Sequence, residues 1–198
     1  GVWGEDQTLG PSSLFGFKFL NTGESRVLGV DVSFSGKAEL SKNVGLTFMT
    51  GYNYIVPKTL SSNEIYATDI FGNEYSYNST SLDPSSNLLK YRFLHNVKGD
   101  VELKMYKKIS LGVSVKYFSK IKNMDVAIRD FEDLTTNEIF GTSIQDVRYM
   151  DYYNAHRFGN WIFDARISWD ITKLHKIALI SANLTNRSYS LRPLKIEQ

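Results

Sequence analysis

The sequence predicts an all-β protein: an antiparallel up-and-down sheet of the transmembrane β-barrel type, about six to seven strands of a larger barrel, with long extracellular loops. Three observations predict it. Apolar and polar residues alternate with period two over runs well beyond the about 5–6 residues of an ordinary globular strand. Short turns and long irregular stretches take strict turns along the chain. Aromatic residues (12 Tyr, 12 Phe and 3 Trp) collect toward the ends of the alternating runs, where a spanning strand meets the membrane–water interface.

Strands are expected near residues 15–21, 26–40, 44–56, 88–106, 109–119, 160–171 and 175–185, with long loops over 57–87 and 119–159, so that residues 1–198 form one partial barrel. Phe15 to Leu20 reads as the end of an earlier strand. From Leu28, the even positions Val30, Val32, Phe34, Gly36, Ala38 and Leu40 are apolar or small, while Asp31, Ser33, Ser35, Lys37 and Glu39 lie between them. After Ser41-Lys42-Asn43, a second run places Val44, Leu46, Phe48, Tyr52 and Tyr54 on one face. Pairing Leu40 with Val44 sets even residues opposite even ones, so both apolar faces coincide.

The pattern then repeats. Leu89, Tyr91, Phe93, Val97, Val101, Leu103 and Met105 alternate with Lys90, Arg92, Asn96, Lys98, Asp100, Glu102 and Lys104. A turn at Lys107-Lys108 leads to Ile109, Leu111, Val113, Val115 and Tyr117, and pairing Met105 with Ile109 keeps odd opposite odd. The third pair carries Trp161, Phe163, Ala165, Ile167, Trp169 and Ile171, then turns through Thr172 to His175. On its return strand Ile177 and Leu179 compete with Ala178, Ile180, Ala182 and Leu184 for the outward face. Within the second long loop, Met124, Ile128, Phe131 and Leu134/Thr135 fall at helical spacing, which predicts one short helix from Asp125 onward.

Composition excludes several classes. With 23 Lys+Arg against 21 Asp+Glu the chain has a formal charge of +2, which argues against a nucleic-acid partner. Zero cysteines exclude a disulfide framework, a Cys-based zinc site and a thiol nucleophile. The mean hydropathy of −0.27, with no apolar run near the length of a spanning helix, excludes a transmembrane helix but not a barrel, whose alternating strands average out as hydrophilic. A soluble β-sandwich would need closely spaced turns and both apolar faces meeting inside. The chain opens Gly1-Val2-Trp3 and ends Ile196-Glu197-Gln198, which reads as a processed mature chain or as a piece of a longer one.

No nucleophile–base arrangement is legible, so no enzymatic activity and no cofactor are expected. His95, His156 and His175 are dispersed, without metal-ligand spacing. Asp130, Glu132 and Asp133 could in principle offer oxygen ligands to calcium, but a solvated helix face is the simpler reading and no metal site is expected. The two long loops carry the candidate binding residues: Tyr66, Phe71, Tyr75 and Tyr77 in the first, Tyr149, Tyr152, Tyr153, His156 and Arg157 in the second. Rigid aromatics beside adaptable polar groups suit sugars or peptides; the competing reading is that they pack on neighbouring loops. Asp100, Glu102, Lys104, Asp164 and Arg166, with Arg92 and Lys98, are expected to form a charge ladder on the inward face.

The segment Phe17-Lys18-Phe19-Leu20-Asn21-Thr22-Gly23-Glu24-Ser25-Arg26-Val27-Leu28-Gly29-Val30-Asp31 resembles the barrel signature of TonB-dependent outer-membrane receptors. Asp164-Ala165-Arg166 resembles the strand start after the family's last long loop. Asn183-Leu184-Thr185-Asn186-Arg187-Ser188-Tyr189, with Arg192-Pro193, resembles the motif before its final strand. The resemblance runs over residues 15–193, in the family's order. It implies the C-terminal barrel portion of a receptor, without its plug domain and last strand, in the bacterial outer membrane. The receptor would bind a nutrient (glycan, peptide or metal chelate) in its loops and import it. The implied partners are outer-membrane lipid, the remaining barrel and the plug, the TonB energy complex acting through that missing plug, and a surface lipoprotein. The alternative from another class is a small soluble or surface β-protein that binds carbohydrate and transports nothing.

Overall fold

The structure is a computed structural model and describes residues 2–5, 15–18, 23–137, 149–192 and 195–197. Its contacts divide the chain into two compact units. A sheet unit comprises Gly29–Ile55, Phe93–Lys120 and His156–Gln198. A loop unit comprises Gly1–Leu28, Val56–Arg92 and Ile121–Ala155.

A six-stranded sheet forms the sheet unit, its strands adjacent in chain order: β3 (Ser25–Ser41), β4 (Val44–Thr59), β7 (His95–Met105), β8 (Ile109–Phe118), β9 (Asn160–Asp170) and β10 (Lys176–Ser181). From β4 to β10 every neighbouring pair is antiparallel. The expected all-β, antiparallel meander is therefore present, with β3 and β10 as its two edges. The register is the one the parity of the sequence requires. Met105 faces Ile109, Val101 faces Val113, and Val113 faces Ala165. On the return strand the ambiguity resolves, because Ile177 pairs with Trp169 and Leu179 with Ile167; this places Ile177 and Leu179, not Ala178 and Ile180, on the apolar side. Phe34 meets Phe48 at 5.7 Å between ring centroids, so even positions of β3 and β4 share that side.

The loop unit holds the β1–β2 hairpin (Val2–Glu5 with Phe15–Lys18), the β5–β6 hairpin (Ile65–Thr68 with Glu74–Ser76) and two helices, α1 (Ala127–Asn137) and α2 (Tyr149–Ala155). Strand β2 pairs with β1 and is not part of the six-stranded sheet. The helix expected from Asp125 starts at Ala127, and a second helix joins it that sequence spacing did not indicate. The unit's interior mixes apolar and polar groups: Met124 is 0% exposed, Ile121, Ile128, Tyr77, Tyr149 and Tyr152 are buried with it, and so are Thr80, Ser81, Asn123 and Asp125. The side chains of Leu134 and Thr135 lie outside the described residues, as do Phe19, Leu20, Asn21, Thr22 and Pro193 of the resemblance motifs.

Two expected strands are shorter than their patterns, and that over 175–185 is a strand only over Lys176–Ser181 before the chain turns. The run over 88–106 joins the ladder only at His95. Tyr91 has a left-handed backbone (φ 62°), its N–H donates to the Asn123 carbonyl at 2.9 Å and Leu89 donates to the Pro57 carbonyl at 2.8 Å. The bonds that would extend β7 are made inside the loop unit instead, so alternation alone overextends the strand.

Candidate functional site

Two features stand out, one in each unit. The first is the apolar face of the sheet. Register places Val44, Met105, Ile109, Trp169 and Ile177 in one row, then Leu46, Leu103, Leu111, Ile167 and Leu179 in the next. Beyond these come Phe48, Val101, Val113 and Ala165, and nearer the long loops Tyr52, Val97, Tyr117 and Trp161. None of these side chains is buried: Val113 is 53% exposed and Leu179 71%. Large apolar side chains on a single contiguous sheet face mark a surface made to meet something apolar. The aromatic row closes the face at its loop end, with Tyr117 and Trp161 rings 4.6 Å apart. His95 pairs with Tyr54 in the next row, its Nδ1 2.8 Å from the Tyr52 hydroxyl and its ring 4.7 Å from that of Tyr54; it is an aromatic strand residue.

The opposite face is polar and cross-linked. Arg166 donates to both carboxylate oxygens of Asp100, at 2.7 and 2.8 Å, and to Glu102 at 3.2 Å. Ser114 donates to Asp100 at 2.6 Å, and Lys116 reaches Asp164 at 2.9 Å. Lys104 reaches Asp170 at 3.5 Å. Of the expected ladder, Asp100, Glu102 and Arg166 are thus joined to one another, Asp164 and Lys104 pair instead with Lys116 and Asp170, and Arg92 lies outside the strands. Two resemblance motifs also meet here. The Asn183 N–H donates to Asp164 at 2.9 Å, the Asn183 side chain and Arg187 backbone exchange two hydrogen bonds, and Leu184 donates to the Phe163 carbonyl at 2.6 Å. The Asn-rich turn is therefore clipped to the strand bearing Asp164-Ala165-Arg166.

The second feature is the interior of the loop unit. Lys90 Nζ lies 2.6 Å from Asp125 and donates to the Thr80 carbonyl and hydroxyl at 2.9 and 2.8 Å. Tyr91 donates to the other Asp125 oxygen at 2.5 Å. Tyr77 donates to the Leu88 carbonyl at 3.1 Å and accepts from the Lys90 N–H at 2.5 Å. Burial pushes the Tyr77 phenol up to about 12 and raises Tyr91 and Tyr66 as well. Burial lowers the Lys90 ammonium, against the opposing pull of Asp125. Few charged pairs are this enclosed, and full hydrogen bonding is what makes enclosure tolerable.

The expected binding residues divide accordingly. Tyr77, Tyr149 and Tyr152 are buried. Tyr66 bonds Thr80 at 2.8 Å, Tyr75 donates to Asp69 at 3.1 Å, and Tyr153 donates to the Ile121 carbonyl at 2.9 Å. These six hold the loop unit together. Phe71 is 78% exposed at the tip of the β5–β6 hairpin. His156 and Arg157 belong to the sheet unit, in the approach to β9. Sequence spacing did not single out Lys90 and Asp125, whose 35-residue separation leaves no local signal.

Of the acidic set, Glu132 accepts from the Tyr149 and Met150 N–H groups at 2.7 and 3.0 Å and so caps α2, while Asp130 pairs with Arg129 at 2.9 Å. Among the described residues no group of His, Asp and Glu is arranged to hold a metal ion. Among the described residues no helix is long and apolar enough to cross a membrane, which says nothing of a crossing by strands. Compared with protein families, with curated proteins and with solved structures, the chain finds no match in any of the three.

Proposed function

We propose that this chain is part of a TonB-dependent outer-membrane receptor that binds a nutrient (glycan, peptide or metal chelate) and imports it. The observation that carries the reading is the uncovered apolar face of the six-stranded sheet, set against a cross-linked polar face. In water a lone sheet covers its apolar side; in lipid it turns that side outward and keeps its charges toward a lumen. About ten residues separate the Val44 row from the Tyr54 row, and at about 3.3 Å each with a tilt of about 40° they span about 25 Å, the height of a barrel's apolar band.

The edges favour a larger assembly. Backbone groups left unpaired along β3 and β10 would cost several kcal/mol each in lipid, so the sheet needs neighbouring strands to close it. The transport step rests on the resemblance: the plug and the energy complex would drive import, while the loops would meet the ligand. Antibody detection of the native polypeptide in an outer-membrane fraction, under denaturing conditions, tests the assignment. A species of roughly 90–120 kDa, the size of about twenty-two strands with a plug, is expected. A species near 22.6 kDa would overturn it.

A further inference from the structure

Three short turns lie side by side at one end of the sheet. The Tyr106 N–H donates to the Asn43 carbonyl at 2.7 Å, tying the β7–β8 turn to the β3–β4 turn. The Asp170 N–H donates to the Lys108 carbonyl at 2.8 Å, tying the β7–β8 turn to the β9–β10 turn. These two bonds bring together lysines from three separate stretches: Lys42, then Lys107 and Lys108, then Lys173. Lys104 and Lys176 flank them, and both lean on the same carboxylate, Asp170, at 3.5 and 3.9 Å. Asp170 ends β9 beside the turns, and one carboxylate neutralises a minor part of the charge of these lysines. Beside the lysines stand Tyr106, exposed, and Leu174, 90% exposed, and the Trp169 row of the apolar face begins directly behind them. Exposed lysines mixed with Tyr, Trp and Leu at the border of an apolar band match an interface with charged headgroups above acyl chains.

We propose that this turn end binds the phosphate of anionic phospholipid headgroups through Lys42, Lys107, Lys108 and Lys173, with Tyr106 and Leu174 seated among the outermost acyl segments. The inference rests on the membrane reading above and adds which lipid class the surface selects. Compact ammonium groups attract a phosphate as point charges and require no fixed geometry, which suits a mobile headgroup. Because these charges are exposed, the attraction weakens as ionic strength rises.

The test reconstitutes the polypeptide carrying this chain into vesicles of phosphatidylcholine, with or without added phosphatidylglycerol, and measures by mass spectrometry the lipids it retains. At low salt, the ratio of retained phosphatidylglycerol to phosphatidylcholine should exceed that of the vesicle about tenfold, each lysine near an anionic surface adding at most about fivefold before screening. The variant K42Q/K107Q/K108Q/K173Q should fall to within about twofold of no enrichment, while inserting into phosphatidylcholine as the parent does. Insertion without enrichment, or enrichment that the variant keeps, overturns the headgroup surface and leaves the membrane reading standing. Displacement of phosphatidylglycerol by inorganic phosphate, beyond that by chloride of equal ionic strength, shows a site for free phosphate and overturns the lipid assignment. Failure of the parent to enter any vesicle overturns the membrane reading and this inference with it.

Discussion

The two units of this chain solve the burial problem in opposite ways. In the loop unit Met124, Tyr77, Ile121 and Tyr149 go inside, and even the Lys90–Asp125 pair is enclosed and fully bonded. In the sheet unit the large apolar side chains stay outside, while the charged groups Asp100, Arg166, Lys116 and Asp164 find one another on the other face. The difference lies in which side of the packing the apolar groups take. The loop unit buries its apolar groups as a protein in water does; the sheet unit leaves its own exposed, and on the membrane reading proposed above lipid is what covers them.

Removing one partner of the enclosed ion pair breaks the comparison most forcefully. Both Lys90 and Asp125 side chains are only 10% exposed, so Asp125→Ala strands a buried ammonium and should destabilise the loop unit by about 3–5 kcal/mol. Hydrogen exchange should show the loss in residues 56–92 and 121–137, with the protection of β7 to β9 preserved. Uniform loss across both units would show that they are not separate solutions.

A charge on the outer face comes next. Val113 lies in the middle row of the apolar face, so Val113→Arg should cost about 2–4 kcal/mol in vesicles, read by urea titration of the reconstituted protein. If lipid never meets that face, the same change would leave stability within about 0.5 kcal/mol, as for an ordinary surface position.

A base titration sharpens the contrast without mutation. The phenol of Tyr77 is held neutral up to about 12, against about 10 in an unfolded chain. Its contribution is fully present below pH about 10 and is lost as pH rises through about 12, because only the unfolded chain ionises easily in that window. Tyr66 and Tyr91 are raised in the same sense; Lys90, lowered, acts in the opposite one. Tyrosinate absorbance should therefore rise together with loss of loop-unit protection. Ionisation of all tyrosines near pH 10 with the unit intact would contradict the enclosed network.

The smallest effect is expected on the polar face. Arg166 and Asp100 are each about one-third exposed, so water screens their pair. Arg166→Gln should cost about 1 kcal/mol or less by urea titration, well below the cost at Asp125.

Much of the sheet was legible because parity is a strong constraint: a one-residue slip would turn Val101, Val113 and Ala165 to the charged side. The long loops were legible as regions and not as structures. Glu132 caps α2 from a different helix, and Tyr91 leaves the strand pattern where its N–H donates to the Asn123 carbonyl and its hydroxyl to Asp125, both far along the chain. Aromatic and polar residues mixed in a loop look alike in sequence whether they await a ligand or pack on one another; Tyr77 and Tyr152 turned out to pack, Phe71 did not.

Cysteine-free sequence makes the central claim directly measurable. Single cysteines placed along β8, at Leu111, Val113 and Val115 and at Ser114 and Lys116, would carry a nitroxide in the reconstituted protein. Its accessibility to oxygen dissolved in lipid and to a water-soluble relaxant is then compared. The account predicts a period of two, with Leu111, Val113 and Val115 open to oxygen and shielded from the aqueous reagent, and Ser114 and Lys116 the reverse. Equal aqueous access at all five positions, or the opposite alternation, would contradict it.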